Sequence, residues 1–157
     1  LSGRIAGAAL DVFADEPNNA GDRFISSLQG LPNVILTPHV GGSTEEAQTD
    51  IGRFVAGKLR DYVDSGHTTM SVNLPQVQAG GRAGGRVRLL HVHQNVPGVL
   101  ATANGLLANS HVNIEGQVLS TRGELGYVIT DVAGALTAEL IDKLESMPET
   151  VRLRALD

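Results

Sequence analysis

Seven consecutive residues, Ala79-Gly-Gly-Arg-Ala-Gly-Gly85, hold four glycines and no large apolar side chain. Ordering such a stretch costs more backbone entropy than its side chains can offset, so it reads as a flexible hinge through which neither helix nor strand runs. The chain is therefore expected to fold as separate pieces on either side. The hinge also absorbs part of a high total, 19 glycines in 157 residues.

Residues 86–157 alternate between two periodicities. Positions 87–93 alternate as a strand, with Arg88, Leu90 and Val92 on one face and Leu89, His91 and His93 on the other. Pro97 suits the first turn of a helix whose apolar stripe is Val99, Leu100, Ala103, Leu106 and Leu107. Residues 112–120 and 125–132 read as strands around a turn at 121–124. Residues 137–147 read as a helix with Leu140, Ile141, Leu144 and Met147 aligned, and 151–156 as a half-buried strand. The order β-α-β-β-α-β is that of the ferredoxin-like split βαβ unit. A domain this small gains from docking, or from dimerisation through a sheet edge.

Residues before the hinge follow another plan. An apolar run from Ile5 meets a polar group at Asp11, and a second from Val34 to Thr37 leads into Pro38-His39-Val-Gly-Gly-Ser43. Both read as buried parallel strands with polar groups at their carboxyl ends. Two such strands do not make a stable α/β domain, so this part reads as the end of a larger one. Ser43 with Glu46 forms a capping box for a helix of about twenty residues. Its apolar face is Ala47, Ile51, Phe54, Val55, Leu59, Tyr62 and Val63, and Gly66 stops it. It is either a bridge or a surface helix on a sheet. Residues 67–78 show no periodicity. The expected limits are 1–43 for the end of the first domain, 44–78 for the bridging helix and returning segment, 79–85 for the hinge and 86–157 for the second domain.

The chain has no cysteine, which excludes disulfides, thiol catalysis and Cys-based metal sites. A formal charge of -5 gives no general attraction to nucleic acid or to an anionic membrane. No apolar stretch reaches the ~18 residues of a membrane helix, and the first residues lack a signal-peptide pattern. A cytoplasmic location is compatible with this.

Glu16 and His39 are the strongest chemical candidates, because each follows a strand whose carboxyl end is where open α/β sheets bind ligands. A carboxylate on one imidazole nitrogen fixes the tautomer and leaves the other nitrogen to exchange a proton with a substrate hydroxyl or carbonyl. That suits alcohol–ketone redox chemistry; the bland alternative is a surface Glu and a loop His. Asp11 either acts electrostatically beside a cationic ring or caps the next turn. Gly41 and Gly42 either admit a flat ligand close to the backbone or only turn the chain. Arg82, Arg86 and Arg88 form a basic run that meets an anion or lies on a solvated hinge. His91, His93 and Asn113, taken singly, read as ordinary strand positions, and no metal site is expected.

The motif Ala9-Leu-Asp-Val-Phe-Ala-Asp-Glu-Pro17, followed by Leu36-Thr-Pro-His-Val-Gly-Gly-Ser-Thr44, resembles the C-terminal part of the D-isomer-specific 2-hydroxyacid dehydrogenases. The resemblance implies an α/β, Rossmann-like fold and NAD as cofactor. It places Glu16 and His39 as the catalytic pair, with Asp11, His39, Gly41 and Gly42 against the nicotinamide cofactor. Residues 88–100 with Val112-Asn-Ile114 are similar to an ACT domain, a ferredoxin-like module that binds amino acids. An ACT tail behind a glycine hinge marks the branch of the family that oxidises 3-phosphoglycerate with NAD, the first step of L-serine biosynthesis. That branch is feedback-inhibited by L-serine between two ACT domains. By resemblance, His93 and Asn95 contact serine from one subunit and Asn113 from its partner in a homo-oligomer. The GxGxxG fingerprint and the substrate-binding arginine fall upstream of these residues, so the chain alone is expected to be inactive. Two other readings stay open: an ACT amino-acid-binding module without chemistry, and another D-2-hydroxyacid dehydrogenase, against which residues 86–157 argue.

Overall fold

The computed structural model describes residues 3–17, 19, 21–81 and 84–157. Arg82 and Ala83 of the expected hinge lie outside the described residues. The chain divides into two compact units, one up to Phe54 and one from Val55 onward.

In the first unit, β1 (Ala8–Leu10) and β2 (Val34–Leu36) pair in parallel with Ala8 opposite Val34. They are parallel as expected but not buried: Ile35 is 65% exposed. A two-stranded sheet has no second layer to cover its faces. The helix α1 (Glu45–Ser65) follows. Its N-cap is Thr44, not Ser43: the Thr44 hydroxyl accepts the Ala47 amide at 3.1 Å. Glu45 and Glu46 sit in the first turn, where the helix dipole favours them. No described residue of α1 is buried, so the expected apolar stripe lies open, with Leu59 at 62% exposure.

The second unit is built on a four-stranded antiparallel sheet: β3 (Arg86–Gln94), β4 (Ile114–Arg122), β5 (Leu125–Ala133) and β6 (Thr150–Leu156). The spatial order is β4-β5-β3-β6. Helices α2 (Val99–Asn109) and α3 (Ala138–Glu145) complete the β-α-β-β-α-β order expected from the sequence. Pro97 lies just outside α2, whose N-cap is Gly98. Thr137 caps α3 by accepting the Leu140 amide.

Period-two alternation divides the sheet's side chains between its faces. Leu89, Val132 and Leu153 pack with Val99, Ala103, Leu107, Leu140 and Leu144 into the main core. Each fully buried aliphatic side chain there contributes about 1.5–3 kcal/mol. The opposite face carries Leu90, Tyr127 and Ile129, packed against Val77 and, less deeply, Ala79. The aperiodic segment before the hinge therefore covers the sheet's second face. Thr68 orders it: its hydroxyl donates to the Pro75 carbonyl at 2.7 Å and accepts the Val77 amide at 2.9 Å.

The end of α1 is satisfied by the same face. Gly66 takes the left-handed conformation (φ 74°), and its amide returns to the Tyr62 carbonyl at 3.0 Å. Helix α1 has no basic residue in its last turn. The sheet supplies the cations instead: Arg154 donates to the carbonyls of Tyr62 and Val63, and Arg88 to that of Ser65 at 3.1 Å. The Tyr127 hydroxyl donates to the Gly66 carbonyl at 2.6 Å, and burial raises its pKa. Arg88 is not on a solvated hinge. Its side chain is 1% exposed, it grips both oxygens of Asp131 at 2.6 and 2.8 Å, and it reaches the Gly80 carbonyl at 2.7 Å. Arg86 pairs with Glu115. No described helix is long and apolar enough to cross a membrane.

Candidate functional site

The parallel pairing of β1 with β2 puts the residues after both strands side by side. Asp11 follows β1 directly, and the loop Thr37–Gly42 follows β2. The Asp11 carboxylate gathers that loop. Its Oδ1 accepts the Thr37 hydroxyl at 2.6 Å and the Val40 amide at 2.9 Å, and its Oδ2 accepts the Gly41 amide at 2.8 Å. These three donors, the Thr37 hydroxyl first, lower the Asp11 pKa and hold it ionised. A Cβ at Gly41 would stand 2.9 Å from Oδ2, so a larger residue there would push the Asp11 carboxylate aside. Gly42 meets nothing closer than 4.0 Å, at Ile51.

The loop wound round Asp11 presents His39 with a positive φ of 54°, uncommon for a non-glycine residue and held here by its neighbours. Its Nδ1 lies 2.7 Å from Glu16 Oε2. Glu16 Oε1 accepts the Phe13 amide at 2.7 Å, which fixes the carboxylate. The hydrogen bond that Glu16 accepts from His39 raises the His39 pKa and lowers that of Glu16. With Nδ1 committed to Glu16, Nε2 is the nitrogen left for a second partner. The pair borders a cleft of about 760 Å³ lined also by Phe13, Phe24, Thr37 and Pro38. Thr37 is the residue of this cluster that sequence reasoning passed over; its only signal was its place at the end of the second apolar run.

In the second unit, His93 and Asn95 sit together at the end of β3. His93 is buried, with Nδ1 2.8 Å from the Gln94 carbonyl. Asn95 is exposed, and its amide donates to the Gly123 carbonyl at 3.0 Å. Asn113 is also exposed but precedes β4, at the opposite end of the sheet. The register makes this plain: Gln94 faces Leu125 on β5, whereas Ile114 faces Val132. One chain therefore does not bring Asn113 to His93 and Asn95. His91 points toward α3 instead, bonded to the Thr150 hydroxyl at 2.8 Å, which donates onward to the Leu144 carbonyl. Burial first, and the neighbouring His93 second, push its pKa down to about 4. Among the described residues no group of His, Asp or Glu is placed to hold a metal ion.

Residues 1–41 match the family described as the D-isomer specific 2-hydroxyacid dehydrogenase, NAD binding domain, and residues 89–152 match the AHAS small subunit-like ACT domain. The chain is 46% identical over 154 residues to D-3-phosphoglycerate dehydrogenase of Haemophilus influenzae, covering 98% of this chain and 37% of that protein. It is 45% identical over 160 residues to the Escherichia coli K12 enzyme of the same name, covering 99% of this chain and 38% of that protein. With D-3-phosphoglycerate dehydrogenase 1 of Saccharomyces cerevisiae the identity is 42% over 158 residues, covering 94% of this chain and 33% of that protein. The chain thus spans between a third and two fifths of the length of these relatives. It combines part of a Rossmann-like 2-hydroxyacid dehydrogenase NAD-binding domain with a C-terminal, ferredoxin-like ACT domain, and matches D-3-phosphoglycerate dehydrogenases across both.

Proposed function

We propose that these residues belong to a cytoplasmic, NAD-dependent D-3-phosphoglycerate dehydrogenase that is feedback-regulated by L-serine, with Glu16 and His39 as its catalytic pair. The supporting observation is the 2.7 Å contact between Glu16 and His39 Nδ1 beside a cleft at the carboxyl ends of two parallel strands. The remaining nitrogen, Nε2, accepts the proton of the C2 hydroxyl of 3-phosphoglycerate as the C2–H hydride departs, and 3-phosphohydroxypyruvate results. Glu16 orients the imidazole and offsets the charge it gains. Bound NAD supplies the hydride acceptor.

The residues present fit the nicotinamide end of such a cofactor. Asp11 is held ionised by three donors, which favours an adjacent cationic ring. Gly42 leaves the backbone open on its own side. The GxGxxG fingerprint that cradles the pyrophosphate is not among these residues. Turnover therefore belongs to a protein of the relatives' full length, not to the 157 residues alone.

The register supports a serine site shared between two copies. His93 and Asn95 lie at one end of the sheet and Asn113 at the other, so an antiparallel pairing of two ACT domains brings one copy's Asn113 toward the other's His93 and Asn95. The proposed domain limits remain 1–43, 44–78, 79–85 and 86–157. In the full-length protein, His39→Ala is expected to lower turnover by about 10²-fold or more, the contribution of a general base, while NAD still binds. Turnover near that of the unmodified protein would reject the assignment.

A further inference from the structure

Gly126 lies in β5 between Leu125 and Tyr127, and its φ is not left-handed. The strand conformation therefore does not require glycine there. The space above it does. Gly126 is the cross-strand partner of His93, and a Cβ at Gly126 would fall within 2.6 Å of His93 Nε2 and 2.9 Å of Nδ1. The imidazole lies over the bare Cα of the facing strand. It is 3% exposed and tethered through Nδ1 to the Gln94 carbonyl, so it cannot step aside cheaply.

That tether fixes the tautomer. A carbonyl only accepts, so Nδ1 donates, and in the neutral ring Nε2 is then an acceptor. Nε2 of His93 is buried and has no hydrogen-bond partner among the described residues. The His91 ring, 5.2 Å away centre to centre, has its own Nε2 engaged by Thr150. A buried acceptor without a donor is destabilising, and a ligand that supplies the donor relieves it.

Resting on the effector reading given above, we propose that Gly126 is a positioning residue of the amino-acid site. It seats the His93 ring as the Nδ1–H tautomer, with Nε2 set to accept a hydrogen bond from the ammonium or hydroxyl group of the bound amino acid. The ring is covered by its neighbours, so a bound amino acid opens its surroundings locally and finds the acceptor already oriented.

Imidazole nitrogen NMR of the 157-residue chain reads the seat without ligand: His93 is expected as the Nδ1–H tautomer, and Gly126→Ala is expected to abolish that preference. In calorimetry, Gly126→Ala is expected to weaken L-serine at least tenfold. Gly105→Ala, at a helical glycine with open space around it, is expected to leave the affinity unchanged. L-Alanine distinguishes the donors: retained binding assigns the bond to the ammonium group, lost binding to the hydroxyl. If Gly126→Ala does not fold, adding His93→Ala must restore a folded chain, because the ring is what the new methyl group meets; a double variant that stays unfolded overturns the seat. Unchanged tautomer and affinity in Gly126→Ala would overturn the proposal. A chain that keeps the Nδ1–H signal but does not bind L-serine would overturn the effector reading instead.

Discussion

Arg88 offers a sharp energetic test of how the second unit is held together. Its side chain is 1% exposed, and its guanidinium makes four hydrogen bonds, two to Asp131 and one each to the carbonyls of Ser65 and Gly80. Asp131 supplies the only negative charge among these partners, and its bond is the main cause of the raised Arg88 pKa. Asp131→Ala leaves the guanidinium dehydrated with two neutral acceptors. Breaking a buried pair in this way costs about 3–5 kcal/mol. Asp131→Asn keeps one oxygen acceptor and the side-chain volume but loses the charge, so the smaller cost of about 1.5–3 kcal/mol for a bond to a charged group applies. Arg88→Met with Asp131→Leu removes both charges. It should recover much of the loss, short of what the unpaired Ser65 and Gly80 carbonyls cost. Urea unfolding followed by far-UV circular dichroism measures all three. With a slope of about 1–2 kcal/mol per molar urea, Asp131→Ala shifts the midpoint downward by about 1.5 M or more. A loss below about 1 kcal/mol in Asp131→Ala would show that water solvates the guanidinium and would refute the reasoning.

Much of this arrangement was open to sequence reasoning, and the exceptions share a cause. The β-α-β-β-α-β order was legible because α2 and α3 each keep one apolar stripe, holding Leu107 and Leu144, and the remaining apolar runs are strand-length and bounded by turns. The Glu16–His39 pair was legible because both residues lie just beyond apolar runs of the same type. What escaped depends on contacts between segments distant in sequence. Arg88 reads as one more charge beside a hinge until Asp131 is placed opposite it. Val77 and Thr68 lie in a stretch without periodicity, because a segment that crosses a sheet face through turns repeats nothing along its length. Thr44 took the cap expected of Ser43: threonine also caps, if less strongly than serine, and the Val40 carbonyl takes the Ser43 amide at 3.0 Å.

Other consequences can be checked directly. The folded chain resists protonating His91 until about pH 4, whereas the unfolded chain protonates near 6.5. Stability contributed by the neutral ring is therefore complete above pH 6.5 and lost as pH falls through that window, by about 3 kcal/mol at pH 4. Urea titrations at pH 7 and 4.5 should show a smaller acid loss for His91→Gln than for the unmodified chain; equal losses would exclude His91 as the source. Glu16→Gln should lower the His39 pKa toward its ordinary value, read from the His39 ring proton by NMR, and an unmoved titration would separate the two groups in solution. Asn113→Ala should weaken inhibition by L-serine while leaving uninhibited turnover in place, as initial rates with and without serine would show. Leu144→Ala, at 2% exposure in the main core, should cost about 2–5 kcal/mol in the same urea titration.

One assay addresses both the proposed dehydrogenase half-site and the proposed amino-acid-binding domain. A protein of the relatives' full length carrying these 157 residues would be given 3-phosphoglycerate and NAD, NADH formation followed, and L-serine titrated in. NADH formation is expected, declining saturably with L-serine and unaffected by D-serine. No NADH from 3-phosphoglycerate, or a rate indifferent to L-serine, would overturn the proposed function.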